Sequence, residues 1–151
     1  MNGTVGTWDD TFLYMGGMLS TTDGGENWEE TTLTVEQSVI GKVIQTDETT
    51  AYAAPAGWGA SGQQEFYKTI NNGLNWTTVE VPETPNNAGL EAFDFRDELN
   101  GVVALSYNDE ISMFATENGG DTWIPQNEFS EFYLSVLDLT PNSGYLSGNS
   151  G

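Results

Sequence analysis

The chain of 151 residues contains no cysteine and no histidine, and only three lysine and arginine residues against 23 aspartates and glutamates. Without cysteine there are no disulfides and no thiolate metal sites. Without histidine the chain lacks the most common catalytic base and the most common ligand of transition metals. The formal net charge of −20 repels nucleic acid and anionic membrane surfaces, because proteins bind both through lysine and arginine. We therefore expect no nucleic-acid partner.

Long apolar runs are absent as well. No run approaches the roughly 18 apolar residues of a membrane-spanning helix, so we expect no membrane insertion. The first six residues have neither the basic nor the apolar region of a signal peptide, so either a signal was removed or export uses none. No window has a sustained apolar period of 3.6 residues, whereas 18 glycines and 12% aromatic residues favour an all-β, turn-rich protein with almost no helix.

The acidic composition has two explanations. Surface carboxylates keep a protein soluble in a salty medium, where screening removes their mutual repulsion. Alternatively, carboxylates in loops bind divalent cations. No loop has the Asp-x-Asp-x-Asp-Gly spacing of an EF-hand, which favours the first explanation. We expect no cofactor and no set of metal ligands, with Ca²⁺ at loop carboxylates as the alternative.

One stretch of eight residues occurs three times. Thr21–Trp28 reads Thr-Thr-Asp-Gly-Gly-Glu-Asn-Trp, and related stretches follow at Thr69–Trp76 and Thr116–Trp123. The closing tryptophans lie 48 and 47 residues apart, a period typical of propellers, solenoids and arrays of supersecondary units. We call these three stretches the repeat turns.

Each position of a repeat turn suits a hairpin corner. The threonine hydroxyl is available to the turn, the Asp or Asn side chain accepts bonds from N–H groups about two residues on, and glycine allows a positive φ. Tryptophan starts the outgoing strand and can wedge between neighbouring units. We predict three largely buried, equivalent tryptophans and no ligand role for the carboxylate. The predicted structural residues are Thr21, Asp23, Gly25, Trp28, Thr69, Asn71, Gly73, Trp76, Thr116, Asn118, Gly120 and Trp123.

The pattern Ser/Thr-x-Asp/Asn-x-Gly-x-x-Trp resembles the Asp-box of the bacterial neuraminidase repeat (BNR) propellers. That superfamily includes sialidases, sortilin-type receptors, xyloglucan-cleaving hydrolases and photosystem II assembly-factor-like repeats. The first copy fits best, since Asn71 and Asn118 replace the aspartate in the other two. The resemblance implies an all-β fold, built of β-propeller blades of four antiparallel strands. It also implies that the boxes are architectural and lie on the face opposite the ligand site.

Short alternating runs around the repeat turns predict about three and a half blades in a single propeller segment, residues 1–151. A β-sandwich also has short, regularly spaced strands, but it does not require the same corner three times. Because the half-blade leaves an open edge, we expect its last strand to pair with another chain or with missing blades. The chain is either an excerpt or a self-assembling unit. The blades are expected at about 3–35, 38–83 and 90–130, with the half-blade at about 131–151.

Candidate binding residues lie in loops expected opposite the repeat turns. An aromatic residue there can stack on a sugar or anchor a partner, or it can fold back onto its blade. Paired carboxylates can act in glycoside hydrolysis, although adjacent acids are more often merely solvated. The expected loops are Pro55–Gln64, Pro82–Leu90, Tyr107–Glu110 and Gln126–Phe132. The candidate residues in them are Trp58, Gln63, Tyr107, Asn108, Asp109 and Glu110.

No set of a nucleophile and a base is evident, so we predict no catalytic residues. Sialidases resemble one another in an arginine triad that grips the substrate carboxylate, and Arg96 is the single arginine here, which excludes sialidase activity for this chain. We favour a non-catalytic binding or assembly module of a secreted, extracellular, cell-surface or virion protein, with a protein or glycan partner. The alternative is a fragment of a glycan-cleaving, xyloglucanase-like hydrolase. A photosystem-assembly-like factor is a third class, against which the acidic charge argues.

Overall fold

The computed structural model describes residues 3–8, 15–31, 33, 35–36, 40–55, 65–84, 88–108, 110–130, 132–140 and 143–150. All regular structure in these ranges is β-strand, and they contain no helix that is long and apolar enough to cross a membrane. The strands are β1 Gly3–Trp8, β2 Met15–Thr21, β3 Glu29–Glu30, β4 Val35–Glu36, β5 Ile40–Gln45, β6 Ala51–Pro55, β7 Glu65–Thr69, β8 Thr77–Glu80, β9 Gly89–Phe95, β10 Gly101–Tyr107, β11 Glu110–Thr116, β12 Ile124–Ser130, β13 Phe132–Thr140 and β14 Ser143–Ser150.

These strands form antiparallel sheets of the kind that make up propeller blades. Two sheets have the orders β5-β6-β7-β8 and β9-β10-β11-β12, and a two-stranded sheet contains β13 and β14. The first sheet has the order β1-β2-β3, with β4 also pairing with β2. The expected fold class is thus confirmed: the protein is all-β, with antiparallel four-stranded sheets that correspond to propeller blades and a two-stranded half-blade.

The strand boundaries in the first blade differ from those expected. The short alternating runs of the first blade predict separate strands near Phe12–Gly16 and Met18–Thr22. In the structure, however, β2 is one strand that pairs with β1 from Gly3↔Thr21 to Trp8↔Gly16. Gly16 and Gly17 are extended residues within this ladder. Consequently β1 holds the place that β6 and β10 hold in the later blades, because each of these pairs with the strand that enters a repeat turn.

The chain divides into two compact units, residues 1–57 with 66–78 and residues 58–65 with 79–151. The core of the first unit is a cluster of Met18, Leu33 and Ala53, against which partly buried side chains pack. The core of the second unit is a cluster of Ala92, Ala104, Ile111 and Leu137. Leu137 lies on β13, so the half-blade packs against the third blade through its first strand.

Candidate functional site

The three repeat turns share one hydrogen-bonded geometry. The threonine hydroxyl donates to Oδ1 of the Asp or Asn two residues on, at 2.8, 3.0 and 2.9 Å in chain order. The same hydroxyl accepts the N–H of the glycine four residues on, at 3.0, 3.0 and 2.9 Å. Oδ1 in turn accepts an N–H from four residues beyond the Asp or Asn, at 3.0, 2.9 and 2.9 Å, rather than from two residues beyond as expected. The polar groups that recur in the three repeat turns are therefore engaged within their own turns.

Two consecutive residues of each repeat turn have a positive φ. The predicted glycines Gly25, Gly73 and Gly120 have φ values of 97°, 80° and 96°. The residue before each also has a positive φ, and in the second turn this residue is Asn72, with φ 57°. Asparagine tolerates this left-handed conformation better than other residues with a side chain, because its short amide can bond nearby backbone.

The carboxylate of Asp23 is occupied by hydrogen bonds from its own repeat turn. The backbone N–H of Asn27, the Asn27 side-chain amide and the Thr21 hydroxyl all donate to it, and together they hold the pKa of Asp23 well below its usual range. The prediction that Asp23 bonds within its own hairpin is confirmed by these contacts. That it has no ligand role stays a prediction.

A second kind of turn repeats between the first and second strands of the blades. Asp47 accepts the N–H groups of Thr49 and Thr50 at 2.7 and 2.8 Å. Asp97 likewise accepts those of Leu99 and Asn100 at 3.0 and 2.7 Å. Burial acts to raise the pKa of both carboxyls, but these hydrogen bonds outweigh it, and both pKa values lie below the ordinary value. The carboxylates of these turns are therefore also engaged in hydrogen bonds within their own turns.

Each later repeat turn docks onto the first-to-second strand turn of its own blade. The N–H of Asn72 donates to the carbonyl of Thr49 at 2.9 Å, and the N–H of Gly119 donates to the carbonyl of Leu99 at 2.7 Å. Asn72 and Gly119 both lie three residues after the threonine of their repeat turns. In these two blades the two kinds of turn are thus hydrogen-bonded to each other at one end of the blade.

The three tryptophans are not equivalent. The Trp123 indole N–H donates to the carbonyl of Glu80, on the outer strand of the preceding blade, at 3.0 Å. Trp28 is 41% exposed and its indole N–H donates at 3.2 Å to Gly25 of its own turn. The prediction of a largely buried tryptophan is therefore wrong for Trp28. Its turn comes before every outer strand of this chain, whereas the later repeat turns rest on one.

Trp76 is half-buried, and its indole N–H has no hydrogen-bond partner among the described residues. By the repeat register, the position equivalent to Glu80 is 32, which lies outside the described residues.

On the predicted binding loops, the structure brings Tyr107 and Glu110 together. They are the closing pair of the β10–β11 hairpin, and Glu110 also pairs with Ser130 at the end of β12. Tyr107 is 40% exposed. Asn108, the residue after Tyr107, has a φ of 45°, a positive value of the kind that tight hairpin turns require. The other candidates, Trp58, Gln63 and Asp109, lie outside the described residues.

Two features of the third blade and the half-blade differ from or add to what the sequence predicts. The expected loop Gln126–Phe132 is mostly strand, because β12 continues to Ser130 and β13 begins at Phe132. Asp94, buried on β9, accepts the N–H of Leu139 at 2.5 Å and so ties the half-blade to the third blade. The sequence feature that could have indicated this contact is the position of Asp94 between two phenylalanines in a strand-like run.

A cavity of about 410 Å³ lies in the second unit, at the end of the blades that carries the repeat turns. Its lining includes Arg96, Thr116, Gln126, Thr140 and Ser143. In the described part of the chain, no group of three or more acidic side chains is close enough together to hold a metal ion.

No family model matches the chain, and no curated protein matches it. Two solved structures are similar. YCF48 from Cyanidioschyzon merolae has a TM-score of 0.58 at 17% identity, over 99% of this chain and 49% of that one. YCF48 bound to D1 peptide has a TM-score of 0.55 at 14% identity, over 93% of this chain and 48% of that one. The fold is a β-propeller. The chain spans about half the length of these structures.

These likenesses correct two expectations. Both are to YCF48, a photosystem II assembly factor, so the expected extracellular, cell-surface or virion location is contradicted. The net charge of −20 is also no argument against structural likeness to the photosystem-assembly-like class, because net charge governs solubility and the choice of partners rather than the fold.

Proposed function

We propose that this chain is part of a non-catalytic β-propeller that binds a polypeptide partner through the hairpin Tyr107–Glu110. The observation that carries this proposal is the 40% exposed Tyr107 at the end of the β10–β11 ladder. Aromatic side chains are enriched at protein interfaces and often supply much of the binding energy. A side chain held on a rigid hairpin loses little freedom on binding.

The charge of the chain indicates a basic partner. Glu110 is exposed beside Tyr107, and the net charge of −20 attracts cationic segments over long distances at low ionic strength. The solved YCF48 complex holds a D1 peptide, and an extended polypeptide is the class of partner proposed here. By sequence register we include Trp58, Gln63, Asn108 and Asp109 in the same surface.

The shifted carboxyl groups support a non-catalytic role. The pKa of Asp23, Asp47 and Asp97 lies below the ordinary value because each accepts hydrogen bonds within its own turn. A glycosidase needs the opposite, a carboxylic acid whose pKa is raised so that it can protonate the leaving group. We also propose that the repeat turns are Asp-boxes, since all three share one set of hydrogen bonds.

The test is selection of binders from a displayed library of random twelve-residue peptides on the immobilised 151-residue chain. We expect enriched peptides with a net positive charge. Their affinity should fall at least tenfold for Tyr107→Ala and severalfold for Glu110→Gln. Tyr145→Ala is the matched control, because Tyr145 is 69% exposed on β14 and lies outside the proposed surface. An equal loss for both tyrosine variants, or no enrichment on the folded chain, would overturn the proposal.

A further inference from the structure

The second repeat turn differs from the other two at its second and sixth positions. The side chains at these positions take no part in the hydrogen bonds that the three turns share, and they are exposed in every turn. In the second turn they are Ile70 and Leu74, which are 69% and 67% exposed. In the first and third turns the same positions hold the polar residues Thr22, Glu26, Glu117 and Asp121.

The fold gives no reason for aliphatic side chains at these two positions. The first and third turns form the same hydrogen bonds with polar residues there. Single apolar side chains scattered over a surface are ordinary. Ile70 and Leu74, however, lie on one turn of eight residues, and they project into water where the equivalent side chains are polar. Their apolar surface is therefore available for a contact outside the turn.

The second repeat turn is also free of acidic residues. The chain has 23 aspartates and glutamates, but none lies between residues 66 and 79. Each of the other two repeat turns contains two, Asp23 and Glu26 in the first and Glu117 and Asp121 in the third. An apolar surface that covers the second turn therefore buries no carboxylate of that turn, and burying an unpaired charge is costly.

The second turn holds these side chains on an ordered backbone. The N–H of Asn72 donates to the carbonyl of Thr49, in the first-to-second strand turn of the same blade, at 2.9 Å. On another side, a Cβ on Gly73 would lie 3.0 Å from Cγ2 of Thr31, a residue that follows β3 of the preceding blade. Because the backbone is already held on two sides, little freedom is lost when a partner binds.

We propose that Ile70 and Leu74 form a docking site for a partner polypeptide segment that carries aliphatic side chains flanked by lysine or arginine. The basic flanks are inferred from charge complementarity. Asp47 and Glu48 are exposed in the turn whose Thr49 carbonyl accepts the N–H of Asn72. Burial acts to raise the pKa of Asp47, but hydrogen bonds from Thr49 and Thr50 outweigh it and lower the pKa, so the carboxylate stays charged.

Two other occupants fit the site less well. Specific protein interfaces bury about 1,200–2,000 Å² in total, far more than two aliphatic side chains of each copy supply, so the site is too small to form a dimer of this chain by itself. An anionic membrane surface repels the carboxylates of Asp47 and Glu48. A segment of a partner protein meets neither difficulty. The site goes beyond the function proposed above and does not rest on it.

The probe is a displayed library of peptides in which six random residues lie between two lysines on each side, selected on the immobilised chain. The comparison variant is Ile70→Glu with Leu74→Asp, which reproduces the two residues of the third turn and should keep the fold by circular dichroism. We expect enriched cores rich in leucine, isoleucine and valine, whose affinity falls by about tenfold or more in the variant. A peptide attracted by charge alone would bind the variant more tightly, because the variant is more acidic.

Moving the two side chains to the third turn is the second test. Glu117→Ile with Asp121→Leu, added to the comparison variant, restores the composition and net charge of the wild type. The third turn is held in the same way, through the N–H of Gly119 and the carbonyl of Leu99. Affinity should therefore recover severalfold. Tyr107→Ala should leave the affinity of these peptides unchanged, so this site and the proposed hairpin site fail independently.

Four results would overturn the proposal. The first is equal affinity of the selected peptides for the wild type and the comparison variant, and the second is no recovery in the folded variant that carries the two side chains on its third turn. The third is a dimer in sedimentation that is lost in the comparison variant, which would identify a second copy as the occupant. The fourth is flotation with vesicles of neutral or anionic lipid that is lost in the same variant, which would identify a membrane.

Discussion

Two glycines with the same backbone conformation separate the cost of strain from the cost of packing between blades. Gly25 and Gly120 have φ values of 97° and 96°, so alanine at either position is strained by about 1–2 kcal/mol. A Cβ on Gly25 would have Trp28 of its own turn as its nearest neighbour, at 3.8 Å, whereas on Gly120 it would lie 2.5 Å from Val79. We therefore expect Gly120→Ala to cost a further 1–3 kcal/mol, roughly the cost of overpacking a core.

The assay is unfolding in urea, monitored by circular dichroism. The transition compared is that of the unit that carries the substitution. Free energies of unfolding are compared only if the m-value is unchanged. Val79→Ala alone should cost about 1.5 kcal/mol through the lost burial of two methyl groups. In the double variant with Gly120→Ala, the total should fall about 1–2 kcal/mol short of the sum, because the two side chains no longer collide. Equal losses for Gly25→Ala and Gly120→Ala, with no coupling to Val79, would refute the packing of repeat turns on preceding outer strands.

Three further predictions follow from the turns. The hydrogen bonds from Asn27 and Thr21 hold the pKa of Asp23 well below the ordinary value of an aspartate. The stability that Asp23 contributes is therefore present above that ordinary value and is lost as the pH falls below it. The urea midpoint should accordingly fall less between about pH 5 and pH 2 in Asp23→Asn than in the wild type. Trp123→Phe removes the donor to the Glu80 carbonyl and should cost about 1–2 kcal/mol in urea unfolding, whereas Trp28→Phe, at an exposed site, should cost less than about 0.5 kcal/mol. Asn72→Ala should cost about 1 kcal/mol because of its positive φ, and Asn72→Gly should lie within about 0.5 kcal/mol of the wild type by thermal unfolding.

The repeat turns were predictable because their geometry is local. Thr21, Asp23 and Gly25 bond one another and the backbone within eight residues, so the sequence pattern alone specifies the corner. Three such corners at a constant period then predict equal units, and blades of four antiparallel strands follow from the runs between them. Local chemistry repeated at a fixed spacing therefore carried the prediction of the fold.

The errors lie where long-range pairing decides the outcome. Separate strands were expected on either side of Gly17, but the ladder with β1 runs through this residue. The region after Gln126 was expected to be a loop, but pairing with β11 extends β12 to Ser130. Burial of Trp28 depends on an outer strand that precedes it, which an eight-residue pattern does not contain. Each of these contacts depends on a strand that lies outside the short segment from which the prediction was made.

The loop Tyr107–Glu110 was predictable from the sequence, because polar residues follow an alternating run there, and Tyr107 and Glu110 do form the closing pair of a hairpin. That these residues bind a partner stays a prediction. The buried carboxylate of Asp94 was missed because its partner, the N–H of Leu139, lies 45 residues away in the sequence. Sequence position alone does not show which strands a propeller brings side by side.

The central claim is that each strand entering a repeat turn lies between two antiparallel neighbours of its own repeat. Backbone NOEs across the sheets of the 15N,13C-labelled chain test it most directly. The account predicts that Ser20 shows cross-strand contacts to both Thr4 and Glu29, and that Phe114 shows them to both Val103 and Pro125. Contacts that instead join the strand before one repeat turn to a strand of another repeat, as in a sandwich, would contradict it.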